Sequence, residues 1–360
     1  MKPAAAKAYV RQLCCLGLGG PAIMPELLRA LAAVIPSGPN VFAEVRPDFE
    51  PGYAVLENPV PEALELYARE IQGAFRRVTD ALKDWWRCRP GPVHWGHERA
   101  ILDDFYRSDM YHHLWRPIGQ HHALQGMVSE RGRPLGLINL YRNVGEPPFS
   151  EREADELARL LPYVAHGLTA RPTQDAVFDD SGRSGQIILD NAGRLTHQSE
   201  TAKALLYLAT HPGEPGPVKL FGLSVKALLK KLAGDLSAIA QGKEAPTPVV
   251  CRQNAWGRFV FRAYRLDAAA GENGLTLITV GHQEPRQLRL LRGLRNVPLS
   301  AKEREVCFWL AQGHSLTEVS RRLHVKPGTA KKYADAAYLK LDAHNRAELV
   351  ERITAHAGYS

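Results

Sequence analysis

The sequence predicts a multidomain chain, with two mixed α/β regions followed by an all-α C-terminal region. Three observations lead there. The chain has 360 residues, a length that favours two or three domains over one. Strand-like and helix-like segments alternate over residues 1–170 and again over 180–285. Between them runs a stretch rich in Gly, Pro, Asp and Ser, Thr169–Gly185. From residue 286 to 360 only helical patterns occur. That last fifth carries 14 Lys and Arg against 7 Asp and Glu, which is +7 of the chain's +8. Such asymmetry points to an anionic partner for the C-terminal region, with nucleic acid ahead of a membrane surface.

The elements follow in order. Ala22–Ile35 has helical spacing and stops at Pro36, and Asn40–Val45 reads as a strand. Pro61–Leu82 has the pattern of one long amphipathic helix. His122–Arg142 is a hairpin with a polar turn at Arg131–Arg133, and Ser150 with Glu153 or Asp155 starts a helix that runs to Leu168. In the second region Gly185–Ser199 reads as two strands around a turn at Asn191–Gly193. Glu200–Ala209 and Val225–Gly242 read as helices. Thr247–Leu266 and Gly274–Gln283 read as strands.

Composition excludes several classes. Hydrophobic residues make up 45% and charged residues 23%, an ordinary globular mixture. Five cysteines, without a CxxC metal spacing, fit a reduced cytoplasmic setting. The N-terminal apolar stretch is broken by Gly17, Gly19, Gly20 and Pro21, a poor signal peptide. No apolar run reaches the ~18 residues of a membrane span. Leu16–Gly20 lacks the spacing of a phosphate loop, and Asp103–Asp104 are adjacent, so they do not face one another on a helix. No nucleophile elbow or Ser/His/Asp ordering is visible, so an enzyme is not expected.

The C-terminal helices carry the strongest motif. Ser300–Glu303 and Ser315–Glu318 are capping boxes. Val306, Trp309 and Leu310 form an apolar stripe before Gly313. Val319 and Leu323 face inward on a short second helix. After His324–Lys326, Pro327 suits the first turn of a third helix with two lysines near its start. Two short helices, a tight turn and a basic third helix describe a helix-turn-helix, whose later helix enters the major groove.

Residues Leu299–Val350 resemble the LuxR/FixJ-type DNA-binding domain. The resemblance rests on Leu299-Ser300, Glu303–Val306, Gly313, Ser315, Glu318-Val319, Arg322-Leu323, Pro327, Thr329, Lys340-Leu341 and Arg346–Leu349. It implies four helices, a recognition helix over Pro327–Leu341, and a last helix near Asn345–His356 as the dimer contact. DNA contacts are then expected from Thr317, Lys326, Thr329, Lys331, Lys332, Tyr333, Asp335 and Lys340. Asp335 either accepts from a cytosine amino group or only tunes repulsion. The chain departs from the family pattern at Lys326, where a capping Ser is usual, and at Ala330, Lys332, Tyr333, Ala336 and Asp342. These departures imply an altered operator preference.

Residues 10–168 look like a GAF domain, from the hairpin, Gly136 and the Ser150 helix start. Residues 180–285 look PAS-like. The resemblance implies a homodimeric, cytoplasmic, ligand-responsive transcriptional regulator whose partners are double-stranded DNA and a small-molecule effector. Alternatives are an acyl-homoserine-lactone-type receptor and a phosphorylation-driven response regulator. Trp95, Phe105, Tyr106, Tyr111 and Trp115 are the candidate pocket liners, against plain core packing for each. His112, His113, His121 and His122 raise a metal site and hence a metalloenzyme fusion. No acidic or cysteine ligand stands at a known spacing beside them, and no metal is assigned.

Overall fold

The computed structural model describes residues 3–58, 61–71, 73–88, 91–95, 104–170, 177–210, 219–267 and 274–358. They divide into two compact units, residues 1–173 with 180–283, and 174–179 with 284–360.

The first α/β region comprises helices α1 (Pro3–Cys14), α2 (Gly20–Ala32), α3 (Pro61–Glu70), α4 (Arg76–Cys88) and α5 (Glu151–Thr169). Its strands are β1 (Val41–Val45), β2 (Pro51–Leu56), β3 (Val93–Trp95), β4 (His122–Glu130) and β5 (Arg133–Arg142). They form an antiparallel sheet in the order β2-β1-β5-β4-β3. The expected hairpin is β4–β5, with the ends Glu130 and Arg133 paired. Its loop is the two residues Arg131 and Gly132, at φ +50° and +80°. Positive φ at both positions twists the turn to match its strands, and glycine carries this without strain. The Ser150 capping box is formed, with Glu153 as its second member.

Two expectations are corrected. The single helix over Pro61–Leu82 is two helices. The amides of Gly73 and Phe75 both turn back to the Glu70 carbonyl, and Phe75 is buried. The apolar phase therefore restarts at the break, which periodicity alone reads as continuation. The first strand of the second region, read from Gly185, already begins at Phe178 within the polar stretch. There the side chain of Asp179 is held by Arg286, with Nη2 to Oδ1 at 2.7 Å.

The second region has strands β6 (Phe178–Leu189), β7 (Leu195–Gln198), β8 (Val249–Asn254), β9 (Gly257–Leu266) and β10 (Leu275–Pro285). Its helices are α6 (Glu200–Thr210) and α7 (Lys219–Ala240). The strand order is β7-β6-β10-β9-β8, the same serial pattern as in the first region. Phe259, Phe261, Ile278 and Val280 fill its core against Leu205 and Leu232.

The last unit holds α8 (Arg286–Arg295), α9 (Ala301–Ala311), α10 (Leu316–Arg322), α11 (Pro327–Lys340) and α12 (Arg346–Ala355). Leu290 and Leu294 of α8 join Val306, Leu310, Val319, Leu349 and Ile353 in one core. Both capping boxes are formed, and Asn345 caps α12. Arg292 and Glu284 make a buried ion pair at 3.2 Å, and Arg292 also donates to the Ala357 carbonyl. The helical unit thus begins at α8, upstream of the first capping box.

Candidate nucleic-acid interface

α11 is placed by its alanines. Ala330, Ala334 and Ala337, spaced i, i+4, i+7, are buried, the last two within the domain core. Small side chains on that face allow close helix approach. The opposite face is therefore fixed in phase. Lys331, Lys332, Asp335 and Leu339 stand exposed on it. Lys326 sits at the N-cap without a side-chain cap, and it too is exposed. Among the described residues no carboxylate pairs with Lys326, Lys331 or Lys332. Three unneutralised ammonium groups thus cluster at and near the start of α11.

The other expected contacts divide. Thr317 is exposed in the first turn of α10. Thr329 and Tyr333 are half-buried, and Tyr333 packs against the domain core. Lys340 is occupied. Its Nζ lies 2.8 Å from both oxygens of Glu303, which also accepts from the Ser300 amide. Lys340 holds the Glu303 carboxyl below the usual carboxylate range. The sequence pattern did not reveal this pairing, because the partners are 37 residues apart. Pattern reading missed Leu339, which is 84% exposed. In an alanine-rich helix the inner and outer faces cannot be told apart until packing fixes the phase.

A second feature lies in the first α/β region. A cavity of about 190 Å³ opens against one face of its sheet. Ala43, Ala54, Leu137 and Asn139 line it from the strands, and Tyr67, Trp86 and Leu114 from the other side. The opposite sheet face is packed by α5, where Leu157 and Leu161 lie over Gly126. The cavity's buried polar lining is uncharged, Thr79 and the amides Gln120, Gln125 and Asn139. Burial pushes the Tyr67 phenol up to about 12, so it stays protonated. Of the two charged lining residues, Glu44 and Lys83, the latter is held by Glu50 at 2.8 Å.

Of the five aromatic liners expected from sequence, Trp115 borders this cavity. Phe105, Tyr106 and Tyr111 do not. They pack on one another with ring centroids 5.0–5.9 Å apart. Trp95 is 39% exposed on the edge strand β3. Aromatic residues close in sequence met one another rather than a ligand space. Two of the four histidines are similarly engaged: Tyr111 Oη lies 2.6 Å from His121 Nδ1, and His122 packs edge-on to His121. Among the described residues no group of three or more His, Cys, Asp or Glu could hold a metal ion. Asp104 pairs with Arg77, and Asp103 lies outside the described residues. No described helix is long and apolar enough to cross a membrane.

Comparison with known proteins agrees with this geometry in one segment. Residues 297–353 match the family of bacterial regulatory proteins, luxR family. This segment is a LuxR-type helix-turn-helix domain. The match begins after α8, whose Leu290 and Leu294 lie in the same core as the matched residues. No curated protein matches the chain. Among solved structures, SdiA in complex with octanoyl-rac-glycerol is 11% identical, over 99% of this chain and 95% of its own, with a TM-score of 0.33. A phage VqmA–DPO complex is 17% identical, over 49% of this chain and 86% of its own, at 0.20. Vibrio cholerae VqmA is 15% identical, over 47% of this chain and 80% of its own, at 0.19.

Proposed function

We propose that this chain is a sequence-specific transcriptional regulator that binds duplex DNA through α11 and answers to a small molecule in the first α/β region. The observation that carries the DNA reading is the cluster of Lys326, Lys331 and Lys332, exposed and unpaired on a LuxR-type domain. Free ammonium groups release counterions from phosphate, and a helix of this kind presents its first turns to base edges. The two α/β regions are read as GAF-like and PAS-like sensor modules. The cavity supports the first as the effector site. Its walls favour a small, largely apolar, uncharged molecule, because apolar lining with a few convergent amides is the usual build of a ligand pocket. A second copy of the chain is expected on DNA, since paired half-sites match two-fold protein symmetry.

The test is selection from a random duplex pool with the full chain at fixed salt, followed by anisotropy. A selected sequence should bind at least about 10³-fold more tightly than a scrambled one. Enrichment of no sequence, with or without added small molecules, would defeat the reading.

A further inference from the structure

The two ends of the cavity in the first α/β region differ. Val41, Ala43 and Val45 line it along β1, so it follows that strand for about 13 Å at ~3.3 Å per residue. At the Val41 end it meets Trp115, Gln120 and Tyr141, all buried. At the Val45 end it meets Phe49 and Lys83, both half-buried. Phe49 belongs to the tip of the β1–β2 hairpin, beyond the pair Val45 and Pro51. Its amide donates to the Arg46 carbonyl at 2.9 Å, and its φ is +66°. Glycine takes that left-handed place in a short hairpin loop without strain. A bulky aromatic is strained there, and it persists where surrounding contacts over-determine it, as at ligand clamps and switch segments. Here those contacts come from α4. Lys83 Nζ donates to both Glu50 carboxylate oxygens, at 2.9 and 2.8 Å. Arg87 donates to the Asp48 carbonyl at 2.7 Å and faces the Phe49 ring. Lys83 and Arg87 are four residues apart, so one face of α4 holds the whole tip.

We propose that Arg46–Glu50 is a lid on the cavity, with the Phe49 ring as its stopper and Lys83 and Arg87 as its latches. The proposal rests on the reading of the cavity as the effector site and adds how that site is entered. Strain at Phe49 favours release of the tip, and the two latches oppose it. Arg46, Pro47 and Asp48 are exposed, so lifting the tip uncovers little apolar surface besides the Phe49 ring. Segments with few buried contacts open locally without unfolding the rest.

The experiment places a thiol in the cavity of the full-length chain by Ala43→Cys. Its rate of reaction with methyl methanethiosulfonate, read by peptide mass spectrometry, reports entry. It should react at least about tenfold more slowly than the exposed Cys88, as a site reached only by local opening does. Lys83→Met keeps the apolar stem and removes one latch, and it should raise the rate about fivefold. Lys83→Arg keeps the charge and should leave the rate within about twofold of its starting value. Phe49→Gly removes the ring and suits the left-handed backbone, so it should raise the rate at least as much as Lys83→Met does. Cys14, buried in the same region, is the control for unfolding and should stay unreactive throughout. If Lys83→Met and Phe49→Gly leave the rate unchanged, or if Cys14 reacts in step with the introduced thiol, the tip is a structural turn and the proposal fails. If the introduced thiol reacts as fast as Cys88 with both latches in place, that end stands open and there is no lid. The assay needs no effector, so its failure is distinct from a failure to find one.

Discussion

Replacing Lys326, Lys331 and Lys332 by alanine, singly and together, removes three exposed ammonium groups without touching the core. Each phosphate contact contributes about 0.9 to the slope of log affinity against log salt. The triple variant should therefore have a slope shallower by about 2.7 per bound copy. Between 50 and 200 mM salt one contact is worth about 3.5-fold and three about 40-fold. Lys340→Ala is the control. Its Nζ is committed to Glu303, so its loss should leave the slope unchanged and lower stability instead. Lys340 is 44% exposed and solvent screens the pair, so roughly 1–2 kcal/mol is expected. Anisotropy titrations across the salt range measure the slopes, and thermal melts measure the stability. If Lys340→Ala flattens the slope as much as Lys331→Ala does, pairing within the domain does not decide which lysines reach phosphate. If none of the three exposed lysines changes it, α11 does not lie against DNA.

Ala43→Leu fills part of the cavity with three further carbons. It should stabilise the free protein by roughly 2 kcal/mol and abolish the melting shift given by any effector of the wild type; a lowered melting temperature would mean that the space is not available. A Cβ at Gly293 would meet the Ile353 carbonyl and side chain, so Gly293→Ala should loosen α8 from α12 and cost about 1–3 kcal/mol in denaturant unfolding. Glu303, Glu318 and Glu348 all have folded-state pKa values below the usual carboxylate range. The first is held by Lys340, and the others by the backbone amides of Ser315 and His344. In the folded chain these carboxyls bind fewer protons than in the unfolded chain. Their contribution is therefore complete above about pH 5 and is lost as pH falls from about 4.3 through their lowered values. Acid titration by circular dichroism should show that limb, and Glu303→Gln should flatten it.

Much of the C-terminal unit was legible because its signals are local. The capping boxes at Ser300 and Ser315 and the proline at 327 each act within four residues. The structure forms each helix where they stand. The β4–β5 hairpin was legible for the same reason, since Gly132 supplies one of its two positive φ angles. The break between α3 and α4 was less so. It depends on where Phe75 is buried, and an amphipathic pattern continues across it. The candidate pocket was the least legible part. Aromatic content marked Phe105, Tyr106 and Tyr111, yet ring-to-ring packing consumed them. The cavity formed instead beside Ala43 and Ala54, where small residues sit opposite each other on paired strands.

The chain's own order of residues determined its three-part organisation, the positive C-terminal fifth and the helix-turn-helix. All three rest on composition, periodicity and short-range caps. Only the tertiary structure decided which lysines are free, because Lys340 meets Glu303 across 37 residues while Lys331 and Lys332 meet no carboxylate among the described residues. Only packing turned the alanines of α11 inward and so set Leu339 outward. Helix phase is a property of what a helix lies against, and an alanine-rich sequence leaves it open until the core closes.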